Sequence, residues 1–371
     1  MRTELIELQN AVPGTRQTLQ VLRFGRSNAS PKAYIQAALH ADEVPAILVA
    51  HQLAKQLTAL EAQGAIPGEI VLVPLANPVG LAQHVMGQHH GRFDLRDGGN
   101  FNRGYPELAP GLVERLRAVL TQNAQENTRM VRLALVEAAA ALQATTPAQD
   151  LKNQLLRLAL DADVVLDLHC DTDAVMHVYG LTPQAPMVEA LGAALGARAV
   201  LLATESGDLP FDEACTRPWL QLQKMLPGFP LELACFGATV ELRGEADTHH
   251  ALASQDARGL CAFLAQNSLL SLPAAALPAP LCVATPLSGS EPVTAPCAGV
   301  VVFHRQPGDV LAAGDVVADL VDAATGAITP VHCKSAGVMY ARTSTRWASA
   351  GKRLAKIAGT SLARTGKLLS P

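Results

Sequence analysis

The sequence predicts an α/β fold, a mixed sheet flanked by helices, followed by a small all-β unit. Over roughly the first 270 residues, short apolar runs alternate with helix-like stretches, the pattern of strands and helices packed in layers. Between 271 and 291, Pro, Ala, Ser and Gly crowd together and mark a domain boundary. Beyond it, Val293 to Ile357 holds short β-branched runs separated by glycine turns. The expected units are 1–275 and 285–371, and 371 residues are indeed too many for one ordinary core.

Taken in order, Gln17 to Phe24 alternates like an early strand, and Ala33 to Leu39 is a buried strand running into His40. Pro45 opens a helix that reaches about Leu60, proline being well placed in a first turn. Glu69 to Leu75 (EIVLVPL), Val164 to Leu168 (VVLDL) and Ala238 to Leu242 (ATVEL) are further short strands. Between Gly111 and Asp161 the pattern is helical. Leu112, Leu116, Val119 and Leu120 share one stripe, and Leu133, Val136 and Ala140 another. These helices are expected to pack or to make a dimer contact, which favours a homo-oligomer. The C-terminal unit reads as two half-repeats, each with a small-residue turn and a later glycine-led strand. From Tyr340 onward every charge is basic, and a solvated tail is the expectation for that run.

Hydrophobic residues make up 49% and charged residues 17%, which excludes disorder. A formal net charge of -4 offers nothing for nucleic acid to bind. Glu4 and Glu7 break any apolar run at the start, so no signal peptide is expected. The most apolar stretch, Ser268 to Ser288, carries four prolines and would make a poor membrane helix. Seven cysteines without CxxC spacing are expected to be reduced thiols in a cytoplasmic protein.

The residues that carry chemistry stand at predicted strand ends. His40 and Glu43, three apart on a loop before a helix, can both turn toward one ion and leave zinc needing a third ligand. The plainer alternative is a surface pair favouring a helix dipole. His169 follows VVLDL and emerges at a strand's C-terminal edge, where open α/β sheets place their sites. Asp167 lies on the same face and can orient polar groups there. Asn102-Arg103 pairs an amide with a guanidinium suited to a carboxylate. Arg92 and Arg96 are nearby cations, either of which could hold an oxyanion. A glycine-rich loop with solvated arginines is the alternative. Glu241, inside the strand TVELR, is either a water-activating base or an edge-strand residue paired with Arg243.

In order, HxxE after a strand, Asn77-Pro78, NFNR, DLH and TVEL make the chain resemble the succinylglutamate desuccinylase/aspartoacylase family, a branch of the zinc carboxypeptidase-like hydrolases. The resemblance covers roughly residues 15 to 265. It implies a carboxypeptidase-like sheet and one zinc ion held by His40, Glu43 and His169. It further implies substrate carboxylate binding by Asn102 and Arg103, general acid/base action by Glu241, and a carbonyl-polarising arginine, Arg92 with Arg96 in reserve. Asn100 stands where relatives often carry an acid, and Ala41 where glycine is usual. The C-terminal segment resembles the β-barrel appended in this family and, more distantly, lipoyl or biotinyl carrier domains. Its hairpin tip, Val321 to Gly326, lacks the lysine a carrier needs, Lys334 lying past it. A cap narrowing the entrance to the zinc site is implied instead.

The expected reaction is zinc-assisted hydrolysis of the amide bond of a small N-acyl amino acid. The rivals are a carboxypeptidase acting on peptides and a non-catalytic binding protein. A Cys170 nucleophile is disfavoured, because neighbours on a strand point to opposite faces and Cys170 could not share a proton with His169.

Overall fold

The computed structural model describes residues 1–273 and 276–369. Positions 274 and 275, within the expected domain boundary, and 370 and 371, at the end of the expected second unit, lie outside the described residues. The first unit is built on a nine-stranded mixed sheet. Its order is Arg2–Glu7, Thr18–Gly25, Glu69–Val73, Lys32–Ala37, Val164–Asp171, Phe236–Gly244, His177–Leu181, Ala199–Ala203 and Thr285–Pro286. The strands at 69–73, 32–37, 164–171 and 236–244 run parallel side by side, and 177–181 lies antiparallel to 236–244. These parallel strands are covered on both faces, which is why their sequences read as near-continuous apolar runs.

Alternate residues of each strand feed two separate cores. Ile35, Leu166, Leu168, Ala238 and Val240 point to one face and pack against the helices Val44–Ala62, Ala185–Leu195 and His250–Gln266. Tyr34 and Val165 point to the other face, covered by Ala124–Ala140, Pro147–Ala159 and Phe211–Met225. Asp167, His169, Thr239 and Glu241 share the parity of Val165 and Gly237, so the polar residues of these strands stand on that second face.

The helical stretch before residue 161 thus covers the sheet. Its register differs from the expected stripe. Leu133 is 57% exposed, and the helix buries Val131, Ala134, Leu135 and Ala139 instead. Both sets obey helical spacing, and the alanine-bearing side allows closer packing. Val119, beyond the end of the short helix Val113–Arg117, is also exposed.

The C-terminal unit has two sheets around its own core of Val293, Val301, Leu311, Val317, Leu320, Met339, Leu354 and Ile357. One contains Ile328–His332, Val316–Val321, Gly299–Phe303 and Trp347–Ala348, and the other Glu291–Thr294, Arg353–Ala358, Gly337–Arg342 and Val310–Leu311. The second sheet reaches into the first unit, because Asp173–Ala174 pairs with Arg342 and Ala341. Arg342 Nε also donates to Asp173 Oδ2 (2.7 Å), and Lys356 forms an ion pair with Asp171. The basic run from Tyr340 is therefore not a solvated tail. Arg342 and Lys356 face the first unit, where Asp173 and Asp171 offset their charge, and Arg353 lines the cavity with them. All seven cysteines are free, and among the described residues no helix is long and apolar enough to cross a membrane.

Candidate metal centre and catalytic pocket

Three of the parallel strands deliver the site at one rim of the sheet. The 32–37 strand ends where Ala38 adopts a left-handed φ of 63°, turning the chain out of the sheet just before His40. Glu43 follows at the N-cap of the helix 44–62, a position whose non-helical backbone frees the side chain to turn inward. The 164–171 strand brings His169, and the 236–244 strand brings Glu241, its Cα partner in the parallel register.

His40, Glu43 and His169 are all buried, and ligand atoms from the three lie within 4.8 Å of one another. His40 Nδ1 is 2.8 Å from Glu43 Oε1, and His169 Nδ1 is 2.7 Å from Glu43 Oε2. The other ring nitrogen of each imidazole has an oxygen partner. His40 Nε2 faces Asn100 Oδ1 at 2.9 Å, and His169 Nε2 lies 2.9 Å from Asp167 Oδ2. Asn100 Oδ1 also accepts from the Asn102 amide (2.8 Å), which fixes it as the oxygen. Nε2 of His40 is thus the proton carrier, and its Nδ1 presents a lone pair to a carboxylate oxygen. The Arg92 guanidinium reaches both of these acceptors from the side. Two imidazole nitrogens and a carboxylate, with an oxygen at 2.9 Å behind each imidazole, form a donor set that fits zinc.

The polar support runs deeper. Asp167 Oδ1 accepts from Gln36 Nε2 (2.9 Å), and Gln36 Oε1 from the Tyr34 hydroxyl (2.8 Å), all fully buried. Burial pushes the Glu43 carboxyl up, but the two imidazoles together outweigh it and hold Glu43 well below the usual carboxylate range. Burial lowers His169, yet Asp167 and Glu43 raise it more, leaving it well above an ordinary histidine. His40 is lowered by burial and by the Arg92 guanidinium.

Around this cluster lies a cavity of about 610 Å³ lined by Arg92, Asn102, Arg103, Glu241 and, from the C-terminal unit, residues 341–343 and 351–356. Arg92 Nη1 is 3.1 Å from His40 Nδ1 and 3.2 Å from Glu43 Oε1. Arg96 is exposed and does not line the cavity. Asn102 is only 4% exposed. Its Nδ2 is 3.2 Å from His169 Nε2 and its Oδ1 accepts from the Phe211 amide (2.8 Å). Arg103 donates from Nη1 to the Asn102 carbonyl (2.7 Å). Glu241 Oε2 is buried with no hydrogen-bond partner, and burial followed by Glu43's charge pushes the carboxyl up to about 8. Arg243 turns instead to Asp256, donating from Nη1 to Oδ1 (3.2 Å). Burial and Glu43's charge also push the Cys170 thiol up, while its amide donates to Glu43 Oε2 (3.1 Å).

A model of the succinylglutamate desuccinylase/aspartoacylase catalytic domain matches residues 29–266. The chain belongs to that family. A family protein of Shewanella amazonensis is 26% identical, with 96% of this chain and 98% of that one aligned at a TM-score of 0.85. A second, from Shewanella frigidimarina, is 24% identical over 97% of both chains at a TM-score of 0.84. The ectoine utilization protein EutE (DoeB) of Ruegeria pomeroyi shares the fold at 18% identity and a TM-score of 0.65, over 97% of this chain and 95% of that one. No curated protein matches the chain. The alignments run the full length, so the C-terminal unit belongs to the shared architecture.

Lys356, Arg342 and Arg353 of the pocket wall, and Asp171 opposite them, carried no local motif in the sequence. The one signal was the run of basic charge after Tyr340 with no acid to balance it.

Proposed function

We propose that this chain is a zinc-dependent hydrolase that cleaves the amide bond of a small N-acyl amino acid. The observation that carries the reading is the convergence of both histidine Nδ1 atoms on the two oxygens of Glu43, in the cavity that also holds Glu241 and Arg92. One zinc ion per chain would be held by His40, Glu43 and His169, supplying an acidified water and a Lewis acid for the carbonyl. Glu241 takes the proton of the attacking water and later delivers it to the leaving amine. Its unpartnered oxygen, its burial and the neighbouring charge of Glu43 suit a group that must hold a proton for part of each cycle. Arg92 holds the charge that develops on the carbonyl oxygen, a donor of this kind being worth about 3–4 kcal/mol. Arg103, with Asn102 beside it, binds the substrate carboxylate. Arg96 has no part in this arrangement.

The division at 1–275 and 285–371, a lipoyl- or biotinyl-like build for the second unit, homo-oligomerisation and a cytoplasmic location belong to the same proposal. The tip between Val316–Val321 and Ile328–His332 carries no lysine, which favours the cap role over a carrier role. The test is a panel of N-acetyl and N-succinyl amino acids against dipeptides, with and without 1,10-phenanthroline. Chelator-sensitive release of the free amino acid supports the reading. Preferential cleavage of dipeptides would make the protein a carboxypeptidase, and neither zinc nor hydrolysis would leave a binding protein.

A further inference from the structure

Three side chains of the segment 100–103 meet the site in different ways: Asn100 holds His40, Asn102 lies against His169 (3.2 Å), and Arg103 lines the cavity. We propose that Lys152, on the helix Pro147–Ala159, is a positioning residue that fixes this segment from behind and so sets both the metal centre and the carboxylate subsite. The inference rests on the functional reading above. Lys152 Nζ donates to the Asn100 carbonyl (3.1 Å) and to the Arg103 carbonyl (2.6 Å), the two ends of the segment. It also lies 5.6 Å from the centre of the Tyr105 ring, close enough for a cation–π contact.

The turn creates the need for a cation there. The Arg103 amide folds back onto the Asn100 carbonyl (3.3 Å), so two carbonyl dipoles converge on one point below the segment. The middle carbonyl, that of Asn102, is taken by Arg103's own guanidinium. An ammonium has three donors and no acceptor, so it answers both carbonyls at once and adds a full positive charge against their dipoles. Among the described residues Lys152 makes no ion pair, so its interactions go to the segment and to Tyr105. Burial draws its ammonium below the ordinary lysine value, while Asp97 and Asp94 act to restore it.

The functional sites of Lys152 are reached only through Asn100, Asn102 and Arg103, and the test reads those links. In Lys152→Met, zinc affinity measured by chelator competition should fall by about 10–100-fold, as for other losses behind a metal ligand. KM for an N-acyl amino acid should rise by about tenfold while kcat in saturating zinc changes far less. Amide hydrogen exchange across 99–104 should quicken by about tenfold, a readout that needs neither zinc nor turnover. Lys152→Arg, which keeps charge and donors, should restore all three to within a few fold of the starting protein. If Lys152→Met lowers the melting temperature too far to assay, Lys152→Leu, which also lacks a donor, takes its place. Unchanged exchange and unchanged zinc affinity in the neutral variant would overturn the proposal. A protein that binds no zinc would sink the functional reading, and the exchange measurement would then decide on Lys152 alone.

Discussion

Glu241 stands directly opposite His169 across the parallel pair formed by 236–244 and 164–171. Side chains at partnered positions of neighbouring strands share a face, so the sheet itself sets the proposed base and the proposed ligand side by side. Glu241→Gln keeps the shape and removes the proton acceptor. Turnover should fall by roughly 10²–10⁴-fold while one zinc per chain is retained. Metal content and kcat measured on the same sample check it, and a variant near full activity removes Glu241 as the base.

Zinc affinity should depend on pH. In the metal-free cluster His169 is held well above the usual histidine range, so below that raised value it carries a proton between Asp167 and Glu43. Zinc must displace that proton, so affinity rises with pH until His169 is already neutral and then levels off. The expected slope is about tenfold per pH unit below that point. A dissociation constant flat from pH 6 to 8 contradicts the assignment of His169 as ligand.

Asn100→Asp places a full charge behind His40. The carboxylate should accept from Nε2 where the amide oxygen does now, at 2.9 Å, and make the ring a stronger ligand. Zinc should then dissociate more slowly, with affinity up by on the order of tenfold. An unchanged off-rate would mean that the amide already orients the ring as well as an acid does.

Lys356→Met strips Asp171 of its ion-pair partner. Both side chains are largely buried, at 19% and 15% exposure, and lie where the C-terminal unit docks. Asp171 is normally held low by Lys356 against the opposing effect of burial. Its contribution to stability is therefore present above the unfolded carboxylate value and lost as pH falls through the folded one. At neutral pH the variant should lose roughly 2–4 kcal/mol of stability, and the loss should shrink toward pH 3. Denaturant melts at both pH values test this, and equal losses at both would rule the pair out as the cause.

Much of the candidate site was legible in the chain itself because both candidate histidine ligands stand near a recognisable strand. The run KAYIQA ends just before His40, which places that residue past a strand end, whereas His169 lies inside the strand, which runs on from VVLDL to Asp171 because Glu241 and Gly244 continue its pairing. The strand at 2–7 was missed because it lies on an exposed edge and lacks an apolar face. The choice between Arg92 and Arg96 was equally invisible, since four residues of loop give no period to read. Only the bridge from Phe93 to Asn100 and the turn around Asp94 direct Arg96 to solvent and leave Arg92 against the cluster.

The sequence alone determined the layered α/β class, the separate β-rich segment and the residue types able to bind zinc, because periodicity and local backbone chemistry are short-range properties. Tertiary structure decided that His40 and His169, 129 positions apart, meet through one glutamate, and that Lys356 closes the pocket from the other unit. Strand order and domain docking are set by long-range burial and charge pairing, and no local pattern of residues encodes which distant partner will complete them.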